Sequence, residues 1–168
     1  MLTGKTAKDL MIHLEDYPHI PYWFTLRQAM AIVREAAIKF EGSFEPRAVL
    51  VFDEKYQLMG ILTLRDILKG LEPRFLQDTS LVKGDPGLTV LVGGLFGPNV
   101  QQQSERPVSE VMSPIKLTVN AEDSLPKALY LMVKEHVGLT PVLEAGKVAG
   151  MLRLSDLYAE FSRLVLEE

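Results

Sequence analysis

The stretch Gly60-Ile61-Leu62-Thr63-Leu64-Arg65-Asp66-Ile67-Leu68 recurs, altered, as Gly150-Met151-Leu152-Arg153-Leu154-Ser155-Asp156-Leu157-Tyr158. In each copy a glycine opens an apolar run that reads as a strand, and an acid lies in the first turn of an amphipathic helix. Such a recurrence constrains the fold strongly, because the chain must build one supersecondary unit twice. The flanks match as well. Asp9-Leu10-Met11 answers Glu110-Val111-Met112, and Thr25-Leu26-Arg27-Gln28-Ala29-Met30 answers Ser124-Leu125-Pro126-Lys127-Ala128-Leu129. Val49-Leu50-Val51 answers Pro141-Val142-Leu143.

Read in order, residues 3 to 14 form a lead-in in which Leu10, Met11 and Leu14 suggest a short helix packed on the core. Pro18 and Pro21 cannot continue it, so Tyr17 to Pro21 reads as an irregular edge strand or loop. Thr25 with Gln28 is a capping box for a helix carrying Leu26, Ala29, Met30, Val33, Ala36, Ala37 and Phe40, ended by Gly42. Ala48 to Phe52 is a buried strand. Asp53-Glu54-Lys55 turns the chain into a second strand, Leu58 to Leu62. Leu64, Ile67, Leu68 and Leu71 then mark a helix stripe. One copy therefore reads β-α-β-β-α. Residues 73–107 hold four prolines and Gln101-Gln102-Gln103 and read as a connector, mostly loop. Within it, Leu88 to Val92 suits a short strand or an apolar flap. In the second copy Ile115, Leu117 and Val119 alternate as a strand. Ser124 caps a helix that tolerates Pro126 in its first turn. Val142-Leu143 and Val148 to Leu152 form a hairpin turning at Ala145-Gly146, and a final helix carries Leu154, Leu157, Tyr158, Phe161, Leu164 and Val165.

At 168 residues and 47% hydrophobic, the chain can bury a core. Its net charge of −4 and 18 scattered Lys and Arg residues, no two adjacent, argue against a nucleic-acid footprint and a polybasic membrane patch. There is no cysteine, which excludes disulfide and thiolate chemistry. Met1-Leu2-Thr3-Gly4-Lys5 lacks a signal-peptide core, and no apolar run approaches the ~20 residues of a membrane helix. A cytoplasmic location is the expectation. His13, His19 and His136 show no metal-ligand spacing, no nucleophile stands beside a base, and Gly4-Lys5-Thr6 lacks the setting of a phosphate loop. No catalytic or metal residue is therefore expected.

The paired pattern resembles a tandem of cystathionine-β-synthase-type (CBS) motifs, often called a Bateman module. The markers are the apolar-Met lead-in, the Ser/Thr-capped helix, the Pro-Val-type strand and Gly-x-x-Thr-x-x-Asp before the closing helix. The resemblance implies an α+β fold of two pseudo-twofold related β-α-β-β-α motifs forming one compact module: residues 1–72, a connector over 73–107, and residues 108–168. It further implies a regulatory sensor, not an enzyme, binding an adenosine-containing ligand (AMP, ADP or ATP) between the motifs. Homodimerisation through the closing helices and a regulated target protein elsewhere are also implied. The alternative is a degenerate pair with empty clefts that serves only to dimerise.

Thr63 and Asp66 carry the sharpest expectation. Thr-x-x-acid is a capping box, worth ~1 kcal/mol, with no ligand needed. The same carboxylate can accept hydrogen bonds from ribose hydroxyls, while free amides at the helix start hold a phosphate. In the second copy Asp156 is kept but Arg153 replaces the threonine. Arg153 either reaches a phosphate or pairs with Asp156 and closes its cleft, so unequal sites are expected. By resemblance, the Asp66 cleft takes its adenine-contacting backbone from the start of the strand at Ile115-Lys116-Leu117 and from Val137-Gly138. Gly138 either admits a flat ring or caps the preceding helix. For Asp156 the matching stretches are His19-Ile20-Pro21 and Glu45-Pro46, both poorly matched.

Overall fold

The computed structural model describes residues 4–39, 48–72 and 99–167. A lead-in of helix α1 (Ala7–Leu10) and strand β1 (Ile12–His13) precedes β2 (His19–Pro21), α2 (Leu26–Lys39), β3 (Ala48–Phe52), β4 (Leu58–Thr63) and α3 (Leu64–Leu71). After α4 (residues 99–103) come β5 (Val119–Asn120), α5 (Leu125–Lys134), β6 (Leu139–Glu144), β7 (Lys147–Arg153) and α6 (Leu154–Leu166). The expected α+β fold of two β-α-β-β-α units is what the chain adopts. In each unit the first strand runs parallel to the second, with a helix making the crossover, and the second and third form an antiparallel hairpin.

The units are not separate in space, because each takes the lead-in of the other. β1 joins the second sheet, giving the order β1-β7-β6-β5, with Ile12 opposite Met151 and His13 opposite Gly150. Ser113 makes the matching contact on the first sheet: Ser113 N donates to Ile61 O at 2.8 Å and Ile61 N to Ser113 O at 2.9 Å. The helical parts cross over too. Ala7 N and Lys8 N donate to Asp123 O and Ala121 O, and Val108 N donates to Phe24 O.

The glycines of the repeat make this exchange possible. A Cβ on Gly60 would lie 2.8 Å from Ser113 O and 2.9 Å from Met112 Sδ. A Cβ on Gly150 would penetrate Ile12 O and lie 2.9 Å from Met11 Sδ. Backbone crosses backbone here, so a side chain has no room. The buried side chains follow the exchange. Ala7 and Met11 pack with Val119, Leu125, Met132 and Leu152, while Val108 packs with Leu26, Val49, Leu62 and Ile67. A third cluster, Tyr17, Leu50, Phe52 and Met151, joins the two sheets.

Local signals explain most boundaries. Thr25 and Gln28 form their capping box, with Thr25 N donating to Gln28 Oε1 at 2.9 Å and Gln28 N to Thr25 Oγ1 at 3.2 Å. Ser124 caps α5 through Lys127 N. Ala145 and Gly146, at φ 53° and 77°, make the two-residue turn between β6 and β7. Asp53 Oδ1 accepts from Lys55 N and Gln57 N in the other hairpin.

Three expectations are corrected. The first helix ends at Leu10, and Leu14 falls in a separate 3-10 turn. Of the connector, read as mostly loop, residues 99–103 form α4, and 73–98 lie outside the described residues. Residues 114–118 are not a strand, and only Val119–Asn120 pairs. Leu117 O is instead taken by the Thr140 hydroxyl at 2.7 Å, so side chain replaces sheet at that point. Gly138 does not cap α5. His136 does, at φ 56°, with His136 N bonded to Val133 O and Val137 N to Met132 O. The readings of Phe40, Gly42, Glu45-Pro46 and Leu88 to Val92 lie outside the described residues.

Gly150→Ala should cost about 3 kcal/mol, since the contact it violates is with backbone rather than a movable side-chain tip. Gly138→Ala, where a Cβ meets nothing within 4 Å, should stay within about 0.5 kcal/mol. Urea denaturation of the two variants checks both. Equal stabilities would refute the close-approach account.

Candidate functional site

A cavity of about 1040 Å3 opens between the units. Its floor is apolar, with Ile12, Ile61, Leu129, Leu139 and Leu157 among the lining side chains. Its polar groups include Thr63, Asp66, Ser113, Ser155, His136 and the tyrosines Tyr17 and Tyr158, with the cations Arg65, Lys116 and Arg153. An apolar slot with a few convergent polar groups is the usual form of a small-molecule site.

Thr63 and Asp66 stand at the junction of β4 and α3. Asp66 N donates to Thr63 Oγ1 and Thr63 N to Asp66 Oδ2, both at 3.0 Å. This capping box fixes the carboxylate at the helix start, half-buried on the cavity wall. Ser113 Oγ then lies 2.9 Å from Oδ1 and 3.0 Å from Oδ2. Ser113 comes from the other unit, carried there by the lead-in exchange. Sequence reasoning missed it, although aligning Met11-Ile12 with Met112-Ser113 would have placed it beside Gly60.

Ile115, Lys116 and Leu117 also line the cavity, with Leu117 O held by the Thr140 hydroxyl. Val137 and Gly138 adjoin them. The space above Gly138 is open, and its carbonyl accepts from Leu154 N at 2.9 Å. Thus seven sequence-named residues share one cavity with Asp66: Thr63, Ile115, Lys116, Leu117, Val137, Gly138 and Arg153.

Asp156 is placed differently, since it does not line the cavity. Arg153 Nε donates to its Oδ2 at 2.7 Å and Arg153 Nη2 to its Oδ1 at 2.9 Å. The pair is bidentate and largely sheltered, the side chains being 19% and 22% exposed. Arg153 occupies the N-cap of α6 without a side-chain capping bond, so the capping box of the first copy is replaced by an ion pair. His19-Ile20-Pro21, the stretch matched to Asp156, forms β2 and does not line this cavity. Here His19 lies between Tyr17 O at 2.8 Å and the Tyr56 hydroxyl at 2.7 Å. Tyr17 closes the cavity floor. Burial pushes its phenol above the ordinary value, with Arg153 pulling it back only partly, and its hydroxyl donates to Ala48 O at 2.7 Å.

The CBS-domain sequence profile matches residues 7–73 and 108–163. The chain belongs to the CBS-domain family. Solved CBS pairs share its fold. CBSX2 in complex with AMP is 19% identical, with a TM-score of 0.64 over 96% of this chain and 99% of that one. A CBS domain-containing protein of unknown function from Bacillus anthracis str. Ames Ancestor is 20% identical, with a TM-score of 0.67 over 94% and 93%. The cytosolic domain of the Mg2+ channel MgtE in complex with ATP is 21% identical, with a TM-score of 0.64 over 94% of this chain and 49% of that one. No curated protein matches the sequence. No helix among the described residues of this CBS pair is long and apolar enough to cross a membrane.

The Arg153–Asp156 pair should show as a coupling of about 1 kcal/mol in a double-mutant cycle of Arg153→Thr and Asp156→Asn, read by urea denaturation. Strict additivity of the two single effects would refute the pair.

Proposed function

We propose that this CBS pair is a regulatory sensor that binds an adenine nucleotide in the Asp66 cavity and performs no catalysis of its own. The observation that carries the reading is the Asp66 carboxylate, fixed by its capping box on the wall of a cavity with an apolar floor. An adenine ring fits between that floor and the backbone at Ile115–Leu117 and Val137–Gly138. Ribose hydroxyls reach Asp66. Phosphates meet the Thr63 end of α3 with Arg65 and Lys116 at hand. The complexes of CBSX2 with AMP and of MgtE with ATP support this ligand class. Because Asp156 is held by Arg153, the second acid is unavailable and a single nucleotide per chain is expected.

A screen of AMP, ADP and ATP by thermal shift is the first test. A ligand at ~100 times its Kd adds about 2.7 kcal/mol of stability. Asp66→Asn should then weaken binding about tenfold or more, because charge-assisted bonds worth ~1.5–3 kcal/mol lose their charge. Unchanged affinity together with lost stability would leave Asp66 a helix cap alone.

We also propose that the module works as a homodimer. Tyr130 and Val133 on α5 and Tyr158, Leu164 and Val165 on α6 are all more than half exposed. Contiguous apolar faces of this kind mark interfaces, and an isologous pairing of these helices would cover them. Light scattering should give the mass of two chains, and Val165→Glu on the exposed face of α6 should return it to one. A single-chain mass for the unaltered protein across micromolar concentrations would refute the dimer.

A further inference from the structure

We propose that Ser113 sets the affinity of the Asp66 site by holding, with its own hydroxyl, the place on the carboxylate that ligand hydroxyls take. The inference rests on the nucleotide reading above and adds a residue to it. Ser113 Oγ is almost equidistant from the two carboxylate oxygens, 2.9 Å from Oδ1 and 3.0 Å from Oδ2. It therefore stands at the mouth of the carboxylate, where two adjacent hydroxyls of a ribose would each donate to one oxygen. A carboxylate has about four acceptor positions. Thr63 N uses one of these on Oδ2, on the helix side. The mouth is the face left for a ligand, and Ser113 fills it.

The serine cannot withdraw bodily. Its amide and carbonyl are both bonded to Ile61, and its carbonyl lies against Gly60 where a Cβ would already clash. Only rotation about the Cα–Cβ bond removes the hydroxyl. A ribose that takes both oxygens of Asp66 from this side therefore displaces the Ser113 hydroxyl. The other unit supports the assignment. At the position equivalent to Ser113 it carries Ile12, which has no hydroxyl, and there Arg153 takes both oxygens of Asp156. Both acids are satisfied from within, one by a neutral hydroxyl that can turn away and the other by a bidentate guanidinium.

The test is calorimetric titration of the full chain with AMP and ATP, each beside its 2′,3′-dideoxy analogue. Ser113→Ala should tighten the ribonucleotides about three- to tenfold, the share of a charge-assisted hydrogen bond that rotation into water does not recover. The dideoxy analogues should be unaffected, which a general loosening of the cavity would not reproduce. Ser113→Thr keeps the hydroxyl and should keep the unaltered affinity. Weaker or unchanged ribonucleotide binding by Ser113→Ala overturns the proposal while leaving the nucleotide site standing. Absence of binding to the unaltered protein overturns both.

Discussion

The structure depends on two backbone crossings, at Gly60 and Gly150. At each, a lead-in from one unit lies directly on the hairpin of the other, and no side chain fits between them. The crossings convert two small β-α-β-β-α units, each with three strands of its own among the described residues, into one interlocked body. They also distribute the core, because Ala7 and Met11 are buried in the second unit and Val108 in the first. Units of this size are only marginally stable alone. Exchange of the lead-ins supplies the missing contacts.

The same crossings build the cavity. Placing Met112-Ser113 on β4 sends the following residues along the cleft wall, where Thr140 fixes Leu117. It also brings Ser113 to Asp66. The pseudo-symmetric placement of Met11-Ile12 on β7 brings an apolar residue instead. Differences of one side chain at equivalent positions, Ser113 against Ile12 and Thr63 against Arg153, thereby give two acids different surroundings. Asp66 lines the cavity and accepts from the Ser113 hydroxyl, while Asp156 is held by a bidentate ion pair. Near-symmetric backbones with unequal side chains are how a repeat fold acquires unequal sites.

Much of this was legible in the sequence where the signal is local. The Thr63–Asp66 and Thr25–Gln28 boxes, the Ala145-Gly146 turn and the helix stripes each depend on a few neighbouring residues. Most of the failures arise from contacts made at long range. Ile115, Leu117 and Val119 alternate like a strand, but a strand needs a partner, and Leu117 found the Thr140 hydroxyl instead. The helix cap passed to His136, a non-glycine residue in the left-handed region, where sequence reasoning favours glycine. Ser113 was overlooked because it meets Asp66 from 47 residues away. Arg153 was assigned to a separate cleft, yet the interlocking of the units places it on the wall of the Asp66 cavity.

The central claim is that one acid of the repeat is open to a ligand and the other is closed. Isothermal titration of the purified protein with ATP and with AMP, at protein concentrations above Kd, tests it most directly, because stoichiometry then counts open sites. With Asp66 open and Asp156 closed, titration saturates at a single nucleotide per chain. Saturation at two per chain would show that the Arg153–Asp156 pair closes nothing, and no binding of either nucleotide would show that the Asp66 cavity is not a nucleotide site.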